Sequence, residues 1–240
     1  DWFESLVSNS SLWENFNRAK NQLAYILEHS ELTSGAKIVD FGSGLAPFLY
    51  HCRQRGFENL YALEPSAVIC AFLKEQGVMT FPSLLEVFIA RDDLPKFDLM
   101  VVSHTLEHLK NPAGVLEGLR EHLSENGVLY VDVPYKDNLK PYHQGLHFHF
   151  FNETSMREIL QKSGYRVISM HTDRFIFLES ALIKILYFVY GLFYGKSGGV
   201  SANKRIDLPH RLLWRPLKWV MGLKINIFIS SMDLRAVVKR

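Results

Sequence analysis

The chain has 240 residues, 48% hydrophobic and 22% charged, which suits one folded domain with a sizeable core. This composition excludes a mostly disordered chain, a collagen-like chain and a small disulfide-rich protein. The formal net charge of +2 does not indicate a nucleic-acid-binding protein, and we predict no nucleic-acid partner. Cys52 and Cys70 fall in predicted helices outside any Cys-x-x-Cys motif, so we expect two reduced thiols.

The charge is divided unevenly along the chain. Residues 1–183 hold 16 Lys or Arg and 23 Asp or Glu, a balance of −7. Residues 184–240 hold 11 Lys or Arg and two acids, a balance of +9, and the two balances sum to +2. The near-neutral total therefore combines a mildly acidic body with a strongly basic C-terminal segment.

Hydrophobic spacing predicts helices and strands in regular alternation. An amphipathic helix in the first thirty residues carries Leu12, Phe16, Ala19, Leu23, Ile26 and Leu27 on one face. The predicted strands are 37–41, 60–63, 78–81, 97–103, 127–133 and 165–170. The predicted helices are 46–55, 66–76, 112–123 with Asn111 as N-cap, and a helix that Asn152 caps and Gly164 ends.

This alternation indicates a mostly parallel sheet covered by helices on both faces. Sheets of this kind bind ligands at the carboxyl ends of their strands, near the point where the strand order reverses. The chemistry is therefore expected just after residues 41, 63, 103 and 133.

The most informative motif joins the first strand to the next helix, with Asp40 followed by Gly42 and Gly44. Glycines here let the backbone approach a ligand, and the helix N-terminus adds donors. A dinucleotide fingerprint would need a third glycine where Pro47 stands. Asp40 suits a ligand with an ammonium group, and Glu64, at the end of the second strand, can accept hydrogen bonds from a ribose. Together they describe S-adenosyl-L-methionine.

Over about residues 35–172 the sequence resembles the class I S-adenosylmethionine-dependent methyltransferases. The matching segments are IVDFGSGLA at 38–46, ALEPS at 62–66, FDLMVVSHTLEHLKNP at 97–112, GVLYVDVPY at 127–135 and HFHFFNETSMREILQKSGY at 147–165. The resemblance implies a Rossmann-like α/β fold with a seven-stranded, mostly parallel sheet. Its last strand, within 225–238, should run antiparallel.

The resemblance also implies which residues hold the cofactor. The glycine segment and Asp40 would hold its methionine part, Glu64 its ribose, and the residues after the fourth strand would line the sulfonium. Ala46 replaces a frequent glycine, and the adenine contacts near 82–85 are poorly marked. The predicted cofactor-binding residues are Asp40, Gly42, Ser43, Gly44, Ala46, Glu64, Pro65, Ser103, His104 and Leu106.

Candidate catalytic residues are His104 and His147, either of which could receive a proton from an acceptor hydroxyl. Tyr135, His147 and His149 are the predicted substrate contacts, and each also has a purely structural interpretation. Glu107 and His108 are expected to organise the loop after the fourth strand. We predict no metal site, because the His-x-His pair at 147 and 149 and nearby His143 lack a cysteine or clear carboxylate partner.

We divide the chain into a helical lead-in (1–34), a cofactor-binding core (35–174), an apolar and basic helical insertion (175–224) and a returning final strand (225–240). The insertion is too interrupted by charges for a membrane-spanning helix. It could cap the substrate pocket, or contact a membrane surface through its Trp, Lys and Arg side chains.

These observations predict a cytoplasmic methyltransferase, with membrane association left open, that acts by in-line transfer. O-methylation of a small-molecule or lipid-linked acceptor is the favoured reaction. Two alternatives remain. One is a non-catalytic module that binds the cofactor or a membrane, and the other is a nicotinamide-dependent oxidoreductase or epimerase on the same fold. The sequence does not indicate an oligomeric state.

Overall fold

The computed structural model describes residue 2 and residues 10–135, 147–172 and 233–240. Within them, seven strands form one sheet: β1 (Lys37–Phe41), β2 (Asn59–Leu63), β3 (Met79–Phe81), β4 (Phe97–Ser103), β5 (Leu123–Pro134), β6 (Arg166–Thr172) and β7 (Asp233–Lys239). Their spatial order is β3-β2-β1-β4-β5-β7-β6. Strands β1 to β5 pair in parallel, whereas β7 runs antiparallel to both β5 and β6. The predicted Rossmann-like fold and its antiparallel last strand are confirmed.

The helices follow the predicted alternation: α1 (Ser10–Glu28), α2 (Pro47–Gln54), α3 (Ala67–Glu75), α4 (Leu85–Phe88), α5 (Pro112–His122) and α6 (Glu153–Lys162), with a 3₁₀ turn at Leu106–His108. Asn111 caps α5 by accepting from the Gly114 amide, as predicted. Asn152 and Ser155 form a reciprocal capping box on α6. The sequence did not predict α4 or the 3₁₀ turn.

Strand β5 differs from its prediction because it begins directly at the end of α5. Leu123 pairs with Phe97, and the register then shifts before Val128 pairs with Leu99. The polar residues between them resemble a turn in the sequence, so the pattern predicted a strand starting only at Gly127.

The two faces of the sheet are covered by separate apolar clusters, because successive strand residues point to opposite sides. Val39 and Phe41 of β1 pack into one cluster with residues of α5 and α6. Ile38 packs into the other cluster, with Leu23 and Ile26 of α1. The predicted amphipathic helix is thus confirmed as a layer of the domain that covers one face of the sheet.

This topology brings the ends of β1, β2, β4 and β5 to one edge of the sheet, where β1 lies between β2 and β4. The order of the strands along the chain reverses at this point. The whole predicted insertion, 175–224, lies outside the described residues, as do residues 136–146, 173–174 and 225–232. Within the described part of the chain, no helix is both long and apolar enough to cross a membrane.

Candidate functional site

The glycine loop, residues 42–46, leaves β1 in an unusual backbone conformation. Gly42, Gly44 and Ala46 all have positive φ, at 73°, 52° and 54°. The Gly42 and Ser43 amides both donate to the Leu63 carbonyl, at 2.9 and 3.3 Å, which anchors the loop on β2. A Cβ on Gly42 would lie 3.0 Å from the Thr105 hydroxyl, whereas one on Gly44 would meet nothing within 4 Å. The positive φ favours glycine at both positions; a side chain at 42 would also press on Thr105, whereas the space at 44 is open.

Glu64 fixes the glycine loop from the neighbouring strand. One carboxylate oxygen accepts from the Gly44 amide at 3.0 Å, and the other accepts from the Ser66 amide at 2.9 Å. Ser66 in turn caps α3 by accepting from the Ile69 amide. Each oxygen retains a second lone pair for a ligand hydroxyl. The side chain is thus oriented by the backbone of two loops.

Asp40 is a buried carboxyl at the end of β1. Burial raises its pKa to about 7, with the nearby charge of Glu64 acting in the same direction and that of Arg18 opposing it. A carboxyl with this pKa ionises readily once a positive group arrives beside it. The position therefore suits a cationic ligand group.

On the other side of the reversal point, His104 follows β4 with a positive φ of 49°. Its amide donates to the Asp132 carbonyl at 2.8 Å, which holds the strained residue against β5. Its ring Nε2 lies 3.0 Å from Arg18 Nη1 and 3.5 Å from Asp233 Oδ1. Because a guanidinium can only donate, the neutral ring accepts from Arg18, and the protonated ring donates to Asp233.

The environment of His104 favours its protonated form. Burial alone would lower the pKa of the ring, but the hydrogen bond to Asp233 and the charges of Asp132 and Asp233 raise it overall. The same hydrogen bond holds the pKa of Asp233 below its usual range despite burial. The two shifts together favour an ion pair between the protonated His104 ring and the Asp233 carboxylate.

Buried groups from distant segments support His104. Gln22 of α1 donates to the Ser103 hydroxyl at 2.9 Å and to an Asp132 carboxylate oxygen at 2.6 Å. Arg235 lies 3.7 Å from Asp132 and 3.7 Å from Asp233. Burial and the Asp233 charge raise the pKa of Asp132 to about 6. We call this set the polar cluster: Arg18, Gln22, His104, Asp132, Asp233 and Arg235.

A second group of side chains lies on the 3₁₀ turn next to His104. Glu107 is 1% exposed, and its Oε1 is 3.7 Å from His104 Nδ1 and 3.8 Å from His108 Nε2. The Phe148 and His149 amides both donate to the Glu107 carbonyl, which joins this turn to the segment before α6. The ring of His147 meets that of His108 at 4.7 Å. Tyr135 forms an isolated parallel bridge with Phe151, which brings the end of β5 to the same segment.

The structure thus places the predicted site residues at one edge of the sheet, with differences in exposure. Gly42 is exposed, while Ser43 is buried and Gly44 half-buried. Ser103, His104, Tyr135, His147 and His149 are half-buried. Pro65 is exposed, whereas Ala46 and Leu106 have no exposed surface and pack in the core. Ala46 and Leu106 therefore support the glycine loop and the 3₁₀ turn from the core side.

Five members of the polar cluster were not among the sequence-predicted site residues: Arg18, Gln22, Asp132, Asp233 and Arg235. Arg18 and Gln22 are four residues apart on α1 and therefore share one face of that helix. Gln22 is 3% exposed beside the apolar residues of that face. A polar residue within an apolar helix face is the sequence signal that could have pointed to this cluster.

Comparison with known proteins agrees with this geometry. The sequence profile of a methyltransferase-domain family matches residues 13–170 of the 240. The chain belongs to this methyltransferase family. At the level of this family, the predicted resemblance and the methyltransferase class are confirmed, and S-adenosyl-L-methionine is the cofactor expected for the chain.

The chain is also similar to a curated protein, the C-methyltransferase NovU of Streptomyces niveus, with 25% identity over 154 residues. That match covers 61% of this chain but 36% of NovU, so the chain spans little over a third of that relative.

Solved structures share the fold at low identity. An S-adenosylmethionine-dependent methyltransferase from Archaeoglobus fulgidus has 16% identity and a TM-score of 0.60, covering 99% of this chain and 98% of that one. The [4+2]-cyclase SpnF has 15% identity and a TM-score of 0.58, covering 92% and 81%. Likeness at this level shows the fold alone.

Proposed function

We propose that this methyltransferase transfers a methyl group from S-adenosyl-L-methionine to an oxygen of a small-molecule or lipid-linked acceptor. The observation that carries the proposal is the joint arrangement of Asp40, the glycine loop and Glu64 at the edge where the strand order reverses. At this edge the buried carboxyl of Asp40 lies near the open space at Gly44. The carboxylate of Glu64, oriented by the Gly44 amide, is placed to accept hydrogen bonds from ribose hydroxyls.

These residues fit the proposed methyl donor. Asp40 would hold the ammonium group, the backbone of residues 42–44 would lie against the methionine part, and the free lone pairs of Glu64 would accept from the ribose hydroxyls. Ser103 and His104 would line the sulfonium side. When bound, the donor supplies an electrophilic methyl group, and the protein's main task is alignment, which can contribute roughly 7–11 kcal/mol.

On the acceptor side, we propose that Tyr135, His147 and His149 contact the substrate and that His104 and His147 act on its proton. The bridge between Tyr135 and Phe151 supports this grouping, because it joins the end of β5 to the segment that carries both histidines. Phe148 and Phe150, 63% and 39% exposed, give the same segment an apolar surface. This surface favours an acceptor with an apolar part.

Calorimetry with S-adenosyl-L-methionine tests the donor site. We expect the unchanged protein to bind the cofactor with one-to-one stoichiometry and Asp40→Asn to bind it at least about tenfold more weakly, the equivalent of one lost charged contact. Asp93→Asn is the matched control, since Asp93 is an exposed aspartate paired only with Arg91 in the described contacts. Failure of the wild-type protein to bind the cofactor would contradict the proposal.

A methyl-labelling assay tests the reaction itself. The protein and methyl-labelled cofactor are incubated with a cell extract, and metabolites that gain the mass of one CH₂ are identified. The position of the label separates O-methylation from C-methylation, which the name of NovU makes the second candidate. The similarity to SpnF, named a cyclase, keeps a non-methylating reaction as the third outcome, in which the cofactor binds but no product carries the label.

The apolar and basic insertion, residues 175–224, supports a further, separate proposal: that it contacts a membrane surface. Arg211 to Lys224 combine basic side chains with Trp214 and Trp219, a composition suited to an anionic lipid surface. Flotation with vesicles that contain phosphatidylserine tests it. We expect co-flotation at low salt, and no flotation of a Trp214→Ser/Trp219→Ser variant.

A further inference from the structure

A carboxylate and two imidazoles come together beside the predicted acceptor side. One ligand atom from each of Glu107, His108 and His147 lies within 4.8 Å of the other two. Glu107 Oε1 is 3.8 Å from His108 Nε2, and the two imidazole rings stand nearly perpendicular at 78°. Ligands around one zinc ion, each about 2.0–2.2 Å from the metal, are separated by somewhat less than this. Small movements of the side chains would therefore close the three atoms around one ion.

Glu107 is the member that needs a partner. It is 1% exposed, and neither of its carboxylate oxygens receives a hydrogen bond within the described part of the chain. Burying a carboxylate without donors is costly, and buried charges are usually paired or bound to metal. A cation between Glu107 and the two histidines would satisfy this group.

The backbone holds the three residues together before any ion binds. Glu107 and His108 belong to one 3₁₀ turn. The segment with His147 is tied to that turn by the Phe148 and His149 amides, which donate to the Glu107 carbonyl at 2.9 and 3.2 Å. A site that is ordered by the backbone loses little entropy on binding an ion.

A second cluster with similar spacing lacks this property. His104, Asp132 and Asp233 also lie within 4.8 Å of one another. There, however, Arg18 lies 3.0 Å from His104, and Arg235 lies 3.7 Å from both carboxylates. Two guanidinium groups occupy the place of a cation, so this cluster is an ion-paired network.

We propose that Glu107, His108 and His147 form a binding site for a divalent transition-metal ion, with zinc the ion that this ligand set suits best. Two histidines, one glutamate and an open fourth position are typical of catalytic zinc sites. This site differs from the His-x-His pair considered in the sequence, because its carboxylate comes from the turn after β4. His108 is exposed, which leaves the open position accessible to water or an acceptor oxygen.

In its functional part the inference rests on the proposed methyl transfer. An acceptor hydroxyl at the open position would have its pKa lowered by the ion and would lose its proton more easily. Because His147 would be a metal ligand in this arrangement, the neutral ring of His104 would be the group that receives this proton. His104, 3.7 Å from Glu107, would connect the ion to the cofactor side.

Metal titration tests the site independently of catalysis. The full chain is stripped with chelator and titrated with Co²⁺, whose visible absorption reports low-coordinate nitrogen and oxygen ligation, and then with Zn²⁺ in competition. We expect one Co²⁺ per chain, displaced by one Zn²⁺. In Glu107→Gln and His147→Asn the affinity should fall by at least about 100-fold, the upper range for lost supporting groups. Glu158→Gln on α6 and His29→Asn just after α1 should bind as the unchanged chain does.

Cofactor calorimetry on each variant separates the possible failures. A folded, cofactor-binding protein that takes up no stoichiometric ion, or whose Glu107→Gln and His147→Asn variants bind the ion unchanged, overturns the metal site alone. A protein that binds the ion at these residues but not the cofactor overturns the proposed function and leaves the metal site standing. If Glu107→Gln does not fold, circular dichroism shows it, and His147→Asn decides the question.

Discussion

The glycine loop and the polar cluster lie at the same edge of the sheet but are built in opposite ways. The glycine loop follows β1 and is held by its backbone amides, which donate to Leu63 and Glu64 at the end of the adjacent strand β2. The polar cluster is held by side chains from α1, β4, β5 and β7, and its bond between Gln22 and Asp132 spans 110 residues. The first depends on local backbone conformation, and the second on the assembly of the whole domain. The two regions should therefore respond differently to mutation.

The strongest test of the polar cluster is removal of Arg235, one of its two arginines. Arg235→Met leaves Asp132 and Asp233 buried without one of their nearby cations, and breaking a buried ion pair costs about 3–5 kcal/mol. We expect a loss of that size in the free energy of unfolding, measured by urea denaturation at pH 8. Arg91→Met removes an exposed pair with Asp93 and a contact with the Phe81 ring, and it should cost no more than about 1 kcal/mol. Equal effects of the two substitutions would show that the cluster is not an integral part of the fold.

The matching test on the glycine-loop side is pH dependence at Asp40. Its pKa is raised to about 7 in the folded protein, chiefly by burial. Between the unfolded pKa and about 7 the folded state holds a proton that the unfolded chain releases, so stability falls as pH rises through this window. Asp40→Asn should remove the contribution of this group to the slope and raise stability at pH 8 by on the order of 4 kcal/mol.

Urea denaturation from pH 4 to pH 8 measures the slope. Asp93→Asn, an exposed aspartate, should keep a profile close to that of the unchanged protein. A slope that survives in Asp40→Asn must come from another buried group, with Asp132 the first to examine, since its pKa is also raised. The same substitution that stabilises the fold should weaken cofactor binding, which would mark Asp40 as a functional residue.

A smaller effect on stability is expected from the hydrogen bonds that join Gln22 of α1 to strands β4 and β5. Gln22→Leu removes the donor to Ser103 and Asp132, and unsatisfied buried acceptors cost about 1–3 kcal/mol. We expect a loss within that range and a slower methyl transfer with little change in cofactor affinity. Asn21→Leu, on the exposed side of the same helix, is the control. A change in cofactor affinity as large as that in Asp40→Asn would contradict the separation of the two regions.

The smallest expected effect on stability comes from a hydrogen bond between α1 and β6, away from the site. The Tyr25 hydroxyl lies 2.6 Å from the Ser169 hydroxyl of β6. Tyr25→Phe should therefore cost about 1 kcal/mol, the usual net contribution of one hydrogen bond. Thermal unfolding of Tyr25→Phe is compared with that of Tyr61→Phe, which removes a hydroxyl from β2. Unchanged methyl transfer in both variants is expected, because neither residue belongs to the polar cluster.

The alternation of apolar strands and helices, together with the glycine motif, determined the fold class, the strand ends expected to carry the chemistry, and the glycine-loop residues. These features are local: a strand, a turn with positive φ and a helix cap each depend on a few neighbouring residues. For the same reason Asn111, Asn152 and Glu64 could be identified from the sequence alone. The family profile over residues 13–170 agrees with that local information.

The polar cluster and the Glu107 site were decided only by the tertiary structure. The hydrophobic pattern treats Gln22 and Asp132 as isolated polar residues on a helix and a strand, and Asp233 as an acid before a distant strand-like stretch. Only the pairing of β5 with β7 and the packing of α1 on the sheet bring them together. Contacts between side chains far apart in sequence leave no local pattern, because the free energy that places them comes from the packing of the whole core.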